Sequence, residues 1–332
     1  MKGKHMDNNT IRQIVKNAIG TKAEIKGVEW SDGGGMYCKV FKINTADGSF
    51  ILKTERDKIF FATRKDQIEN EVIGNRLFQQ AGIPCANILA YDFDKNNTGV
   101  RYILTEYIHN DMQDCPVWGQ LDAFDDKTRA EIVRQFMEAV EKMRSMTNSR
   151  FGSLSPSGAL GRHETYGEYY HSTLSLLIDE SMELNIFTDE ELDTVKKAAA
   201  KPLIYSKKYT PTLVHGDIGH HNCIWGNTGG GENKLYIFDF GNAYYGLPYY
   251  EEHICKLHGP DIDIIERMDL DRDLYENSLI SDFERMFWKV TEQLTEDYDC
   301  CREWMLPNIE AAKKDASRTH ISEFVEKCRN IL

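Results

Sequence analysis

Two short β-rich runs joined by a tight-turn signal constrain the fold of this chain more than any other feature. The runs read YCKVFKI and SFILKTE, and the segment NTADG between them contains the pair Asp47-Gly48. An Asp-Gly pair between strand-like runs favours a β-hairpin, because these residues adopt the turn conformation that matches the twist of paired strands. The sequence therefore predicts an antiparallel sheet early in the chain.

The segments around this hairpin predict the rest of a small sheet with helices. Apolar residues recur at helical spacing over residues 11–19, which indicates a short amphipathic helix. Residues 65–80 predict a second, more prominent helix, and ILAYDFDKNNTGVRYILTEYI predicts two further strands.

The remainder of the chain has mainly helical patterns. Residues from Asp126 onward carry one apolar stripe, and the range 166–184 shows a second long helical pattern. A third helix is expected to begin at Thr188, because Thr188 and Glu191 match a capping box. In this half, we expect strands only within residues 213–243.

Length and composition limit the class of protein. At 332 residues the chain exceeds the size at which one core usually stops growing, so we expect an α+β protein divided into residues 1–105 and 106–332. The formal charge of -13 argues against a nucleic-acid partner, because phosphate backbones are held by clustered Lys and Arg. No apolar run could span a membrane, and the 8 cysteines form no C-x-x-C pair. We expect a cytoplasmic monomer or homodimer without a membrane partner.

Residues 213–243, LVHGDIGHHNCIWGNTGGGENKLYIFDFGNA, concentrate polar groups between apolar runs. The runs CIW and LYIF flank TGGGEN, which favours a hairpin with Gly229-Gly230-Gly231 at its tip over a phosphate-binding loop. Asp217 can accept a proton from a hydroxyl group, while Asn222 and Asp239 offer the oxygen ligands that Mg²⁺ prefers. This pattern is typical of phosphoryl transfer.

Three histidines and a cysteine in the same stretch offer a competing interpretation as a transition-metal site. They are His215, His220, His221 and Cys223. The adjacent pair His220-His221 would point to opposite faces of a regular strand, and no standard zinc-ligand spacing occurs here. The metal site is the weaker interpretation and stays open at this point.

The motif H-G-D-x-x-x-x-N followed by I-F-D-F-G resembles the aminoglycoside phosphotransferase and choline kinase group of protein-kinase-like enzymes. Protein kinases carry H-R-D-x-x-x-x-N and D-F-G. Gly216 stands where protein kinases carry arginine, and Gly246, Pro248 and Glu251 match a segment of the small-molecule branch. The loop HGDIGHHN departs from the more common HGDLHPGN. The resemblance spans roughly residues 25–255 and implies a bilobal protein-kinase-like fold, with a small antiparallel-sheet N-lobe carrying one main helix and a larger, mostly helical C-lobe.

The resemblance also implies roles for individual residues. Lys53 matches the strand lysine that neutralises the ATP phosphates, and Glu71 matches its ion-pair partner, with Glu69 as the competing candidate. Asp217 becomes the catalytic base, and Asn222 and Asp239 become Mg²⁺ ligands. The nucleotide is implied to contact the glycine triplet Gly33, Gly34 and Gly35 and the hinge residues Glu106 and Ile108.

The implied activity is ATP- and Mg²⁺-dependent phosphorylation of a hydroxyl group on a small molecule, such as an aminoglycoside-like antibiotic, an amino sugar or a related metabolite. Residues 258–332 contain 18 acidic and 10 basic residues, which suits a cationic acceptor, although an ordinary solvated helical surface would show the same excess. Two alternatives remain open: a nucleotide-binding regulator without catalysis, and a protein kinase. Gly216 and the lack of an A-P-E motif after Asp239 disfavour the second.

Overall fold

A computed structural model describes residues 8–20, 24–30, 38–55, 66–109, 124–203, 208–218, 222–248, 279–292 and 317–332. These residues contain seven α-helices and eleven β-strands.

An antiparallel five-stranded sheet forms the first part of the chain. Its strands are β1 (Ile25–Trp30), β2 (Cys38–Thr45), β3 (Ser49–Glu55), β4 (Ile88–Asp92) and β5 (Tyr102–Glu106). Their spatial order is β1-β2-β3-β5-β4. The predicted hairpin is confirmed, because β2 pairs with β3 up to Asn44 and Ser49, which flank the Asp47-Gly48 turn.

Two helices cover opposite faces of this sheet. Helix α1 (Asn8–Ile19) packs Ile11 and Ile14 against one face, in a cluster that includes Leu52 of β3. Helix α2 (Gln67–Gln80) packs on the other face through Ile68 and Val72. Because successive side chains of a strand point to opposite faces, Lys53 lies on the α2 side.

The second part of the chain is mainly helical. It contains α3 (Asp126–Ser145), α4 (Tyr166–Glu183), α5 (Asp189–Ala199), α6 (Leu279–Glu292) and α7 (Ser317–Ile331). The predicted capping box of Thr188 and Glu191 is confirmed at the start of α5. Helices α4 to α7 enclose one core, in which the rings of Phe187, Phe283 and Phe324 meet.

Six short strands interrupt the helices, and three of them correct the prediction. They are β6 (Phe151–Ser153), β7 (Arg162–His163), β8 (Thr212–Val214), β9 (Cys223–Gly226), β10 (Lys234–Ile237) and β11 (Tyr244–Gly246). The predicted β9–β10 hairpin is confirmed. The expectation of strands only within residues 213–243 was wrong, because β6, β7 and β11 lie outside that range and join β8 in a sheet of order β7-β6-β11-β8. Strands of two or three residues are too short to show a period of two.

The architecture confirms the predicted α+β class, with a small antiparallel sheet carrying one main helix and a larger, mainly helical part. The division at residues 105 and 106 stays a prediction. None of the helices in the described part of the chain is long and apolar enough to cross a membrane.

Candidate active site

Lys53 joins three segments that are far apart in the sequence. Its Nζ lies 3.0 Å from Oε2 of Glu71 on α2, and it also contacts Oδ1 of Asp239, which follows β10. The side chains of Lys53 and Glu71 are 15% and 13% exposed, whereas that of Asp239 is 35% exposed. Of the two candidates on α2, Glu71 rather than Glu69 makes the ion pair. The structure therefore brings together the lysine, glutamate and second aspartate that the sequence predicts as site residues.

The charges of this cluster stabilise one another. Burial alone would lower the pKa of the Lys53 ammonium, but Asp239 and Glu71 outweigh burial and raise that pKa above its ordinary value. Burial is the largest single influence on the pKa of Asp239 and raises it, yet Lys53, His215 and Glu71 together lower it by more, so the net pKa is below the ordinary range. Burial raises the pKa of Glu71 despite Lys53. Asp239 is therefore the carboxylate that Lys53 keeps ionised.

The loop after β8 positions Asp217 beside Asn222. The Nδ2 of Asn222 donates to the backbone oxygen of Asp217 at 2.7 Å and to its carboxylate Oδ2 at 3.2 Å. Asn222 is almost fully buried, and its backbone oxygen accepts a hydrogen bond from the N–H of Phe238 at 3.1 Å. The carboxamide thus uses its nitrogen within the loop, and its oxygen is the end that can bind a cation.

His215 has a structural role, because each of its two ring nitrogens makes a hydrogen bond to the backbone. The Nε2 lies 3.0 Å from the backbone oxygen of Phe238, and the N–H of Asp217 donates to Nδ1 at 3.3 Å. A ring that donates through Nε2 and accepts at Nδ1 is neutral. His215 is fully buried and ties the Asp217 loop to the residue before Asp239. Among the residues that the structure describes, no cluster of three or more His, Cys, Asp or Glu side chains could hold a metal ion.

Asp239 has an unusual backbone conformation. Its φ of 67° and ψ of 58° lie in the left-handed region, which costs an ordinary residue about 1 kcal/mol or more. The 3₁₀ turn Phe240–Asn242 follows directly. The ring of Phe240 is buried against Phe78 of α2, with ring centroids 4.5 Å apart, and against His215 at 5.4 Å. This packing holds the strained turn and directs the Asp239 carboxylate toward Lys53.

Glu106 and Ile108 lie where the five-stranded sheet meets the β9–β10 hairpin. The backbone N–H of Glu106 donates to the oxygen of Asn87 at 3.1 Å. One residue after Ile108, His109 pairs with Asn227 through two backbone hydrogen bonds of 2.7 and 2.9 Å. The predicted hinge residues therefore sit at a junction anchored on both sides. Their contact with a nucleobase stays a prediction.

Some predicted residues lie outside the part of the chain that the structure describes. These are Gly33, Gly34 and Gly35, the pair His220-His221, and Glu251. The roles predicted for them stay predictions.

The sequence analysis missed two residues that border the site, Gln67 and Asn70 of α2. Both are buried, and both donate hydrogen bonds to the turn that follows Asp239. A signal was present in their spacing, because Gln67, Asn70, Glu71 and Gly74 recur at helical intervals on one face of α2. Apart from Glu71, this stripe mixes uncharged amides with a glycine, whereas the solvent face of a helix is usually rich in charged residues.

Comparison with solved structures places this fold among kinase-like phosphotransferases. A candidate fructosamine-3-kinase from Haemophilus somnus 129PT matches with a TM-score of 0.60 at 14% identity, over 98% of this chain and 97% of that chain. Aminoglycoside 2'-phosphotransferase-IIIa in a GDP complex matches with a TM-score of 0.56 at 14% identity, over 98% and 97%. A thermostable variant of aminoglycoside phosphotransferase APH(4)-Ia, bound to AMP-PNP and hygromycin B, matches with a TM-score of 0.55 at 13% identity, over 96% and 98%.

The sequence itself identifies the family. A comparison with curated protein sequences finds no match. The sequence model described as "Phosphotransferase enzyme family" (APH) matches residues 32–267, which is more than half of the chain and includes every predicted site residue. The chain belongs to this phosphotransferase enzyme family.

Proposed function

We propose that the protein transfers the γ-phosphate of ATP to a hydroxyl group of a small molecule. One observation carries this proposal: Lys53 on β3 contacts both Glu71 on α2 and Asp239 after β10, while Asn222 holds Asp217 in the adjoining loop. Burying a cation and carboxylates costs free energy unless each charge is paired. A buried cluster of this kind is therefore more typical of a functional site than of an ordinary surface ion pair.

Each residue has a role that follows from its chemistry. Lys53, held by Glu71, is the cation that neutralises phosphate oxygens. Asp217 is the base that orients the acceptor hydroxyl and removes its proton, and the hydrogen bond from Asn222 fixes the direction of its carboxylate. Glu106 and Ile108 contact the adenine through their backbone. Catalysis then consists mainly of positioning and charge neutralisation.

The donor atoms fit a magnesium ion. Mg²⁺ prefers hard oxygen ligands and keeps substrate phosphates and water in its shell, so two protein oxygens are sufficient. The carboxylate of Asp239 is kept ionised by Lys53, and the carboxamide oxygen of Asn222 is the second ligand. When bound, the ion neutralises charge on the transferred phosphate.

The acceptor is a small molecule that bears hydroxyl groups, and we propose one that also bears amino groups. Residues 258–332 contain 18 acidic and 10 basic residues, and such an excess attracts cations. The APH(4)-Ia relative binds hygromycin B, and the relative from Haemophilus somnus is a candidate fructosamine-3-kinase. Both names support an amine-bearing polyol as the first acceptor class to test.

The experiment that tests this function is ADP release measured against a panel of aminoglycosides, amino sugars, fructosamines, amino alcohols and neutral macrolides, with Mg²⁺ and either ATP or GTP. We expect turnover with at least one amine-bearing acceptor. Turnover with none of them, together with tight nucleotide binding, would support a regulator. Incorporation of labelled phosphate into protein substrates would support a protein kinase.

Replacement of the proposed base separates chemistry from binding. Asp217→Asn keeps an oxygen for the Asn222 hydrogen bond, so the loop should keep its shape and its melting temperature. We expect kcat to fall by at least about 100-fold, because a general base is lost, with the KM for ATP unchanged. Asp94→Asn, an exposed turn residue, is the matched control. Retained turnover in Asp217→Asn would contradict the assignment.

A further inference from the structure

Helix α2 meets the turn after Asp239 through buried carboxamides rather than through apolar side chains alone. The Nε2 of Gln67 donates to Oδ1 of Asn242 at 2.8 Å. The Nδ2 of Asn70 is within hydrogen-bond distance of two backbone oxygens, those of Gly241 at 3.3 Å and Ala243 at 3.4 Å. Gln67 is 4% and Asn70 is 8% exposed, so these bonds are shielded from water.

The same helix is also tied to the loop between β6 and β7. The N–H of Ser155 donates to Oδ1 of Asn70 at 3.4 Å, and the N–H of Ala159 donates to the Asp66 carboxylate at 2.8 Å. Asn70 therefore uses both ends of its carboxamide, and each end contacts the second part of the chain. Leaving one end of a buried carboxamide without a hydrogen-bond partner costs free energy. The observed arrangement, in which both ends of the Asn70 carboxamide are hydrogen-bonded, is therefore strongly preferred.

The helix and the turn approach each other closely at two glycines, Gly74 of α2 and Gly241 of the turn. A Cβ added to Gly241 would lie 1.8 Å from Oε1 of Gln67. A Cβ added to Gly74 would lie 2.6 Å from Cβ of Phe240. A larger residue at position 74 would meet the Cβ of Phe240, and one at position 241 would displace the Gln67 carboxamide, so glycine at both positions permits the observed approach of the helix to the turn.

These contacts lie between the two carboxylates that Lys53 binds. Glu71 follows Asn70 directly, and Asp239 precedes Gly241 by two residues. Any shift of α2 relative to the turn would therefore change the distance between Glu71 and Asp239, and Lys53 could no longer contact both.

We propose that Gln67 and Asn70 are positioning residues that fix α2 against residues 240–243, so that Glu71 and Asp239 both face Lys53. We call Gln67, Asn70 and Asn242 the amide clamp. This inference rests on the proposed function, in which Asp239 binds Mg²⁺, and it adds the residues that set the position of that aspartate.

A double-mutant cycle that introduces carboxylates into the amide clamp tests the proposal. Gln67→Glu keeps the bond, because Asn242 can turn its carboxamide to donate, and Asn242→Asp keeps it because Gln67 already donates. The double variant Gln67→Glu with Asn242→Asp places two carboxylates together, which repel each other. Gln80→Glu, at an exposed position of α2, is the matched control for added charge.

Two measurements read the outcome. The first is the Mg²⁺ concentration that half-saturates binding of a fluorescent ATP analogue. We expect the single variants to stay within about threefold of the parent protein and the double variant to need at least about tenfold more Mg²⁺, a non-additive change. The second is hydrogen exchange of the amides in residues 240–245 of the free protein, which should become faster only in the double variant.

The proposal would be overturned if, in both measurements, the effect of the double variant equalled the sum of the effects of the two single variants. A parent protein that binds no nucleotide in a Mg²⁺-dependent way would refute the proposed function instead, and the exchange measurement would still decide about the clamp. If the double variant does not fold, Gln67→Met, which removes the bond without adding charge, replaces it and must show the same two changes.

Discussion

Gly216 lies between His215 and Asp217 and has a φ of 78°, in the left-handed region that favours glycine. A Cβ added there would lie 2.5 Å from the backbone oxygen of Asn242. Two separate features therefore require glycine at position 216: the left-handed backbone conformation and the close approach to the turn after Asp239.

A matched pair of substitutions separates these two reasons. Gly99 has a similar φ of 75°, but no atom lies within 4 Å of an added Cβ. We expect Gly99→Ala to lower the free energy of unfolding by about 1 kcal/mol, from conformation alone, and Gly216→Ala to lower it by about 3 kcal/mol because the contact adds to it. Urea unfolding of both variants measures the difference. Equal losses would show that the Asn242 contact relaxes at little cost.

The sequence predicts single residues of the site where a motif ties a charged group or a carboxamide to its function. Lys53, Glu71, Asp217, Asn222 and Asp239 are all of this kind, and the structure brings the first two together with Asp239 and the other two together in the adjoining loop. Gln67 and Asn70 were missed because their partners, the side chain of Asn242 and the backbone oxygens of Gly241 and Ala243, lie more than 170 residues away in sequence. A polar residue does not reveal by its type which distant group it will bind.

At the scale of elements, the β9–β10 hairpin shows how a glycine-rich segment takes a structural role. The N–H groups of Gly229 and Gly230 both donate to Oδ1 of Asn227 at 3.1 Å. These amides are therefore used inside the turn, and Asn227 also pairs with the backbone of His109. The predicted hairpin tip is confirmed, and the alternative of a phosphate-binding loop is disfavoured.

A charge at this tip tests the structural role. In Gly230→Asp, a carboxylate would repel nucleotide phosphates if they bound here. We expect the nucleotide KM to stay within about twofold of the parent value, because an exposed charge far from the phosphates is screened by salt. Gly230→Ala is the control for the strain of a φ of 117°. A much weaker nucleotide affinity in the aspartate variant alone would place phosphate at this loop.

The elements that the sequence predicts are those fixed by local interactions. The β2–β3 hairpin follows from its turn residues, and α5 follows from its capping box. Strands β6 and β11 depend instead on distant partners, since Tyr244 of β11 pairs with both Ser153 and Val214, and the two-residue β7 pairs only with β6. Segments of two or three residues gain their strand conformation only when the fold brings these partners together.

At the scale of the whole molecule, Lys53 connects β3, α2 and the turn after β10 through two ion pairs. These elements belong to both parts of the chain. The stability of their junction should therefore depend on the charge states of the three side chains, and hence on pH.

Lys53→Met should reveal this dependence. The raised pKa of Lys53 gives stability that is complete below its unfolded pKa of about 10.4 and is lost as pH rises through the folded value. The lowered pKa of Asp239 gives stability that is present above its unfolded pKa of about 3.9 and is lost as pH falls through the folded value. We expect the variant to be less stable by about 2 kcal/mol between these limits, a modest value because Asp239 is 35% exposed.

Urea unfolding of the parent protein and the variant from acid to alkaline pH measures this difference. The difference in free energy of unfolding between the two proteins should become smaller at both the acid and the alkaline end of the range. Lys234→Met, at an exposed position of β10, is the control for loss of a surface charge. A difference in free energy of unfolding that does not change with pH would mean that the variant loses packing rather than ion pairs.

The contact between Gly216 and Asn242 also has an evolutionary consequence. Protein kinases carry arginine at the position that Gly216 occupies in this motif. Here, any side chain at that position meets the backbone of the turn after Asp239, so the turn must move before an arginine can be accepted. In this chain, a change of Gly216 to arginine is therefore expected to be tolerated only if the turn after Asp239 changes as well, so the two positions cannot change independently.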